Sequence, residues 1–179
     1  STSVSDVNCN GASNGSVNLS VSGGAPPLTY SWSNGVVQED ISNVSAGTYT
    51  VTVTDDNNCI TTQTVTVTEP AAINVVLVES NASCGNHNGS ITASSSGGTG
   101  AHSYSWSNGM TGATINNLSG GSYSVTVTDG NGCTKTKAVT IQSTPDVDVN
   151  FTNVSDDFCG QQSGSVTAVP DGGQGPYSY

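Results

Sequence analysis

Five cysteines, Cys9, Cys59, Cys84, Cys133 and Cys159, are the residues best placed for covalent chemistry. Cys9, Cys84 and Cys159 are equally spaced, and the interval from Cys59 to Cys133 is one residue shorter. Zinc would need about four close Cys or His ligands. Residues 1–70 offer only Cys9 and Cys59; there is no Cys-x-x-Cys, and both histidines, His87 and His102, lie further on. Disulfides formed in an oxidising compartment are the better reading, because domains of about 75 residues have small cores that benefit from staples. Calcium is the other candidate chemistry. Asp55, Asp56, Asn57 and Asn58 cluster, Asp129 and Asn131 repeat the pattern, and Glu39–Asp40 and Asp156–Asp157 are further carboxylate pairs. Oxygen-rich loops suit a hard cation, yet Asp and Asn are also ordinary turn formers and no full Asp-x-Asp-x-Asp-Gly series occurs. We therefore assign no metal site and expect no cofactor.

Catalysis finds little support. His87 and His102 sit in Gly- and Ser-rich stretches without counterparts in residues 1–70, and no Gly-x-Ser-x-Gly elbow appears. The chain is read as no enzyme. Intramolecular isopeptide bonds need lysine, and residues 1–70 have none. Two threonine rows, Thr48, Thr50, Thr52, Thr54 and Thr62, Thr64, Thr66, Thr68, could contact carbohydrate. Threonine pairs are also a common solvent face of a sheet, and that reading is preferred. Trp32 and Trp106 could be sugar platforms but are read as core, since each follows a Tyr at two-residue spacing.

The chain of 179 residues has 13 acidic residues, two Lys and no Arg, for a net charge of −11. Only 8% of residues are charged, against about 25% in ordinary globular proteins. Such a surface cannot neutralise phosphates, which excludes nucleic acid and attachment to anionic lipid by a basic patch. No run approaches the ~20 apolar residues of a membrane span, so no direct membrane insertion is expected. Val and Thr alternate in long runs, which argues for folded β structure over disorder.

Tyr30-Ser-Trp-Ser-Asn-Gly35 recurs as Tyr104-Ser-Trp-Ser-Asn-Gly109, and Gly47-Thr-Tyr-Thr-Val-Thr-Val-Thr-Asp55 as Gly121-Ser-Tyr-Ser-Val-Thr-Val-Thr-Asp129. Internal repeats of this kind define architecture. We place repeat 1 at residues 1–70 with its first strand mostly missing, repeat 2 at 71–145, and a partial, truncated repeat 3 at 146–179. The chain reads as a window on a longer array. Within a repeat, Val17, Leu19 and Val21 alternate inward; Tyr30 and Trp32 share a face; Asn34-Gly35 is a turn signal; Ile41 and Val44 mark a short strand; and Tyr49, Val51, Val53, Val65 and Val67 point inward. This pattern predicts an all-β fold of tandem immunoglobulin-like β-sandwiches strung as a rod, with Tyr49 and Tyr123 at tyrosine corners.

Strand counting bears on the disulfides. Six strands place the turns of Cys9 and Cys59 at one pole and allow pairing within a repeat, Cys9 with Cys59 and Cys84 with Cys133. Seven place the first-turn cysteine of one repeat against the last-turn cysteine of the next, Cys9 with Cys133. We favour pairing within the repeat.

The ordered anchors Cys-x-Gly, Asn-Gly-Ser, Tyr-Ser-Trp-Ser-Asn-Gly, Ile-x-Asn-x-x-x-Gly-Thr-Tyr-Thr-Val-Thr-Val-Thr-Asp-x-Asn-x-Cys resemble the SprB repeat across both full copies and the visible part of the third. Repeat 2 departs from it after Gly97-Gly98, where Thr99-Gly100-Ala-His102 replaces the proline-bearing turn. That family occurs in very large cell-surface adhesins of gliding Bacteroidetes. The resemblance implies export, display on the bacterial surface and adhesion during gliding. The partners it implies are neighbouring repeats of the same chain and an extracellular surface or polysaccharide bound through other parts of the full-length protein. A glycan-binding module, or an accessory domain of an extracellular enzyme, is the alternative.

Overall fold

The computed structural model describes residues 1–156, 159–160, 164–173 and 175–178. Asp157 of the Asp156–Asp157 pair lies outside them. The described residues are all-β, and each sheet is small and antiparallel. Repeat 1 contributes β1 (Thr2–Ser5), β2 (Gly15–Leu19), β3 (Thr29–Trp32), β4 (Ile41–Val44), β5 (Gly47–Thr54) and β6 (Ile60–Val67). They form two sheets, β1-β2-β4 and β3-β5-β6, the division found in immunoglobulin-like sandwiches. Repeat 2 follows the same plan with β7 (Asn74–Ser80), β8 (Gly89–Ser96), β9 (Ser103–Trp106), β10 (Thr114–Leu118), β11 (Gly121–Thr128) and β12 (Thr134–Ile141), in sheets β10-β8-β7 and β12-β11-β9. β13 (Asp148–Ser155) and β14 (Ser165–Asp171) pair as a two-stranded sheet.

Compactness divides the chain differently from the repeats. One compact unit comprises Ser1–Asn74, Ser95–His102 and Thr128–Lys135, that is, repeat 1 with two loops of repeat 2. The other comprises Val75–Ser94, Ser103–Val127 and Thr136–Tyr179.

The alternation read from sequence builds the core. Val17, Leu19, Ile41 and Val44 from one sheet meet Trp32, Val51, Val53 and Val67 from the other. Ile91, Ala93, Trp106, Ile115, Leu118, Val125, Val127 and Ile141 are buried at corresponding places of repeat 2. The Trp32 indole N–H donates to the Gln38 and Glu39 carbonyls (3.0 and 3.3 Å), and that of Trp106 to Gly112 (2.9 Å). Both tryptophans are therefore core with a satisfied polar edge, and neither offers a face to a sugar. Tyr49 donates to Ser45 O at 2.9 Å and Tyr123 to Ser119 O at 3.1 Å, which makes both tyrosine corners. The glycine of each Asn-Gly-Ser triplet is forced by close approach: a Cβ on Gly15 would lie 2.7 Å from Val67 Cγ1, and one on Gly89 2.9 Å from Leu118 O. Asn43 and Asn117, the Asn of Ile-x-Asn, take φ of 55° and 58°, a left-handed geometry that Asn tolerates. There the pairing of β4 with β2 skips a residue, from Ser42 to Val44.

One crossing was not legible as a strand. β4 is antiparallel to β2 and β2 to β1, so β1 and β4 run the same way; β3 and β6 likewise share a direction, both antiparallel to β5. Only Ser45 and Ala46 join β4 to β5, so β5 returns antiparallel to β4, and β3 must run parallel to β4. The chain between Trp32 and Ile41 therefore crosses the sandwich without forming a strand. It is tied down by Trp32 N–H to Val36 O (2.8 Å), by the Trp32 indole, and by Leu19 N–H to Asp40 Oδ1 (2.8 Å). Counting it, a repeat makes seven crossings and its first and last turns lie at opposite poles.

Burial distinguishes residues that sequence makes equivalent. Val17 and Ile91 are 0% exposed, whereas Val166, at the same place in the third segment, is 58% exposed. We predict that Ile91→Ala costs about 2–5 kcal/mol and Val166→Ala stays within about 0.5 kcal/mol of the parent, as read from denaturant unfolding of the full chain.

Candidate functional site at the turn cysteines

Asp55 closes the turn between β5 and β6. Its Oδ1 accepts from the Asn57 and Cys59 amides at 3.0 and 2.8 Å, and its Oδ2 from the Ala25 amide at 3.0 Å. Asp129 repeats this in the β11–β12 turn: Oδ1 accepts from Asn131 and Cys133 (both 2.9 Å) and Oδ2 from Thr99 (2.8 Å). One carboxylate thus shapes the turn, fixes the amide of its cysteine and ties down the loop after the second strand. Gly98, at φ 62°, wraps Asp129 so closely that a Cβ would lie 2.7 Å from Oδ2.

The amides of Ala25, Cys59 and Asn57 hold the Asp55 carboxyl below its ordinary value. At Asp129, burial pushes the pKa up, but the amides of Thr99, Cys133 and Asn131 and the nearby His102 outweigh it, and the net shift is also downward. Asp55 and Asp129, two of the carboxylates read as calcium candidates, are therefore occupied with backbone amides. Among the described residues, no group of three or more His, Cys, Asp or Glu side chains is arranged to hold a metal ion.

The structure bonds Cys9 to Cys133, with Cα atoms 5.7 Å apart, and both residues fall within the first compact unit. Asn131 Nδ2 donates to Asn8 O at 3.1 Å beside the bond. Cys59 and Cys84 are exposed free thiols, as is Cys159. The favoured pairing of Cys9 with Cys59 and Cys84 with Cys133 is corrected here, and the reason is the unrecognised crossing. Cys9 lies in the β1–β2 turn, against the far end of β6: Gly11 N–H donates to Glu69 Oε2 at 2.7 Å and Asn10 Nδ2 to Pro70 O at 3.2 Å. Cys59 immediately precedes β6. An eight-residue strand spans about 26 Å, whereas disulfide Cα atoms come within about 7 Å. Cys84, whose amide donates to Thr144 Oγ1 at 3.0 Å, is likewise at the far end of β12 from Cys133.

The remaining candidates make hydrogen bonds within the chain. His102 Nε2 lies 3.1 Å from Gly97 O and Nδ1 2.6 Å from Ser95 Oγ, and His87 Nδ1 is 2.8 Å from Ser119 Oγ. The threonine rows bond to each other across strands, with Thr50 and Thr64 Oγ1 2.9 Å apart and Thr48 and Thr66 3.4 Å apart.

These features define a class, disulfide-linked tandem sandwiches of immunoglobulin type. The chain belongs to the SprB repeat family, whose model matches residues 1–37, 78–111 and 151–179, more than half of the chain. In each full repeat the match stops just past the tryptophan strand, so the family signature is narrower than the whole-repeat resemblance read from sequence. SprB repeats occur in cell-surface proteins. No curated protein matches the chain. Among solved structures, a chain of the crystal structure of Dpr11 IG1 bound to DIP-gamma IG+IG2 is similar at 10% identity, covering 79% of this chain and 90% of its own, with a TM-score of 0.33.

Two outcomes test the site. Non-reducing peptide mapping of the full chain should recover Cys9–Cys133 and neither Cys9–Cys59 nor Cys84–Cys133. Because the Asp55 and Asp129 pKa values are lowered, their contribution to stability is complete above the ordinary value of 3.8 and is lost as pH falls through the lower folded-state values. Asp129→Asn should lower the melting temperature at pH 7 and flatten the acid limb of a melting-temperature profile, while Asn at the exposed Asp56 should change neither.

Proposed function

We propose that the chain is a structural and adhesive repeat module of a large secreted cell-surface adhesin, of the kind used in bacterial gliding and surface attachment. The observation that supports this most is the family match, which recurs in three segments, two of them built on one plan of sandwich. A covalent bond joining the first turn of repeat 1 to the last turn of repeat 2 suits a module that must transmit load along a chain. An exported location agrees with the disulfide, which persists in oxidising compartments. In this reading the repeats hold an adhesive region away from the cell. Contact with an extracellular surface or polysaccharide is made through other parts of the full-length protein. The uncharged Thr and Ser faces keep the strands soluble without attracting charged partners.

Antibodies raised against the chain should label intact cells of the producing bacterium, and brief external protease should remove both the label and attachment to a surface. Labelling seen only after permeabilisation overturns the reading. A glycan array on the full chain should give no saturable binding; binding lost on substituting Thr50 and Thr64 would favour the lectin alternative instead.

A further inference from the structure

The Cys9–Cys133 bond closes a large covalent loop. The two cysteines are 124 positions apart in sequence, so 123 residues are enclosed, running from β2 of repeat 1 to β11 of repeat 2. Of the twelve strands of the two full repeats, β1 alone precedes the loop and β12 alone follows it. Both are edge strands, β1 in the sheet β1-β2-β4 and β12 in the sheet β12-β11-β9. The linker between the repeats lies inside the loop as well. Ala71 O accepts from Gly98 N–H at 2.8 Å, and Gly97 passes so close to Ala72 O that no Cβ would fit between them. That clasp is noncovalent, and it would be a weak point if tension ran through the linker.

We infer that tension applied to the two ends of the chain bypasses both sandwiches. It enters along β1, crosses the Cys9–Cys133 bond and leaves along β12, so residues 10–132 carry none of it. Connectivity dictates this route: a closed covalent loop cannot lengthen between the two atoms that close it, whatever unfolds inside. The loaded path also has little slack. A strand rises about 3.3 Å per residue, close to the limit of about 3.3–3.6 Å per residue for a fully extended chain, so β1 and β12 have almost no length to give. Without the bond, the same pull would run through the 123 enclosed residues, which span about 400–440 Å when drawn out. The disulfide is thus a limit on extension, and neither the strand pairing inside the loop nor the linker clasp has to resist the load. The load-bearing role proposed for the module gives the bypass its use, and the bypass rests on that reading in this respect alone; which residues lengthen under force is fixed by the chain.

The test stretches the full chain between handles at its two ends by single-molecule force spectroscopy, first oxidised and then in dithiothreitol. Reduction should add about 400–440 Å to the length reached under force. Cys9→Ser should reach the reduced length without reductant. Cys59→Ser, which removes an exposed thiol, and Gly97→Ala, which disrupts the linker clasp, should each match the oxidised parent when peptide mapping recovers their Cys9–Cys133 bond. An oxidised parent as long as the reduced one overturns the proposal. So does either bonded variant extending beyond the oxidised parent, or a gain on reduction of only about 160–180 Å, the length that a Cys9–Cys59 loop would enclose. Labelling of intact cells is read separately, and its failure would remove the cellular use while leaving the bypass standing.

Discussion

A single carboxylate accepting backbone amides from two loops is the interaction on which each repeat's last turn depends. Asp55 and Asp129 each hold their own turn and the loop after the second strand. A turn of this kind exposes amides that strand pairing leaves without acceptors, and an unpaired backbone donor away from water is costly. A charged acceptor placed between the loops satisfies them and also sets the position of the following cysteine. The disulfide at Cys133 thus follows from a turn already shaped by Asp129.

The same chemistry explains the chain's unusual charge. With 13 acidic residues against two Lys and no Arg, most carboxylates have no cation to meet. Several bond amides instead: Asp6 Oδ1 accepts from Thr68 N–H at 2.7 Å, Asp40 from Leu19 N–H, and Glu69 from Gly11 N–H. Placed at turns and strand ends, these bonds supply what the neutral Thr and Ser faces of the strands do not. An acidic cluster in such a sequence therefore signals backbone capping before it signals a cation.

Alternation made most of the fold legible. Val17, Leu19, Trp32, Val51, Val53 and Val67 were readable as inward-facing because strand periodicity forces every second residue to one side, and the tyrosine corners followed from Tyr49 and Tyr123. What alternation cannot register is chain that crosses the sandwich without pairing. Residues 34–40 are held by the amide and indole N–H of Trp32 and by the Asp40 carboxylate, not by pairing with a neighbouring strand, so they carry no period of two. Missing that one crossing inverted the pole assigned to Cys59 and with it the choice of disulfide. The clamp itself was half visible: Asp and Asn were recognised as turn formers, but the Ala25 and Thr99 amides that complete it come from loops 30 residues away.

A repeat with different chemistry at its two poles has a consequence for assembly. Contacts between unlike patches are heterologous, and unless a rotation closes them they continue from one subunit to the next. One pole of repeat 1 carries Cys9, bonded to Cys133, and the Asn8 carbonyl that accepts from Asn131; the other carries Cys59 in the turn shaped by Asp55. Stability in such arrays is the sum of what each repeat buries and what each junction adds, so a repeat with a small core gains from a covalent junction in proportion to how little it can bury alone. That relation gives the cysteines a thermodynamic reason to occupy the two turns at opposite ends of the sandwich and not two turns at the same end.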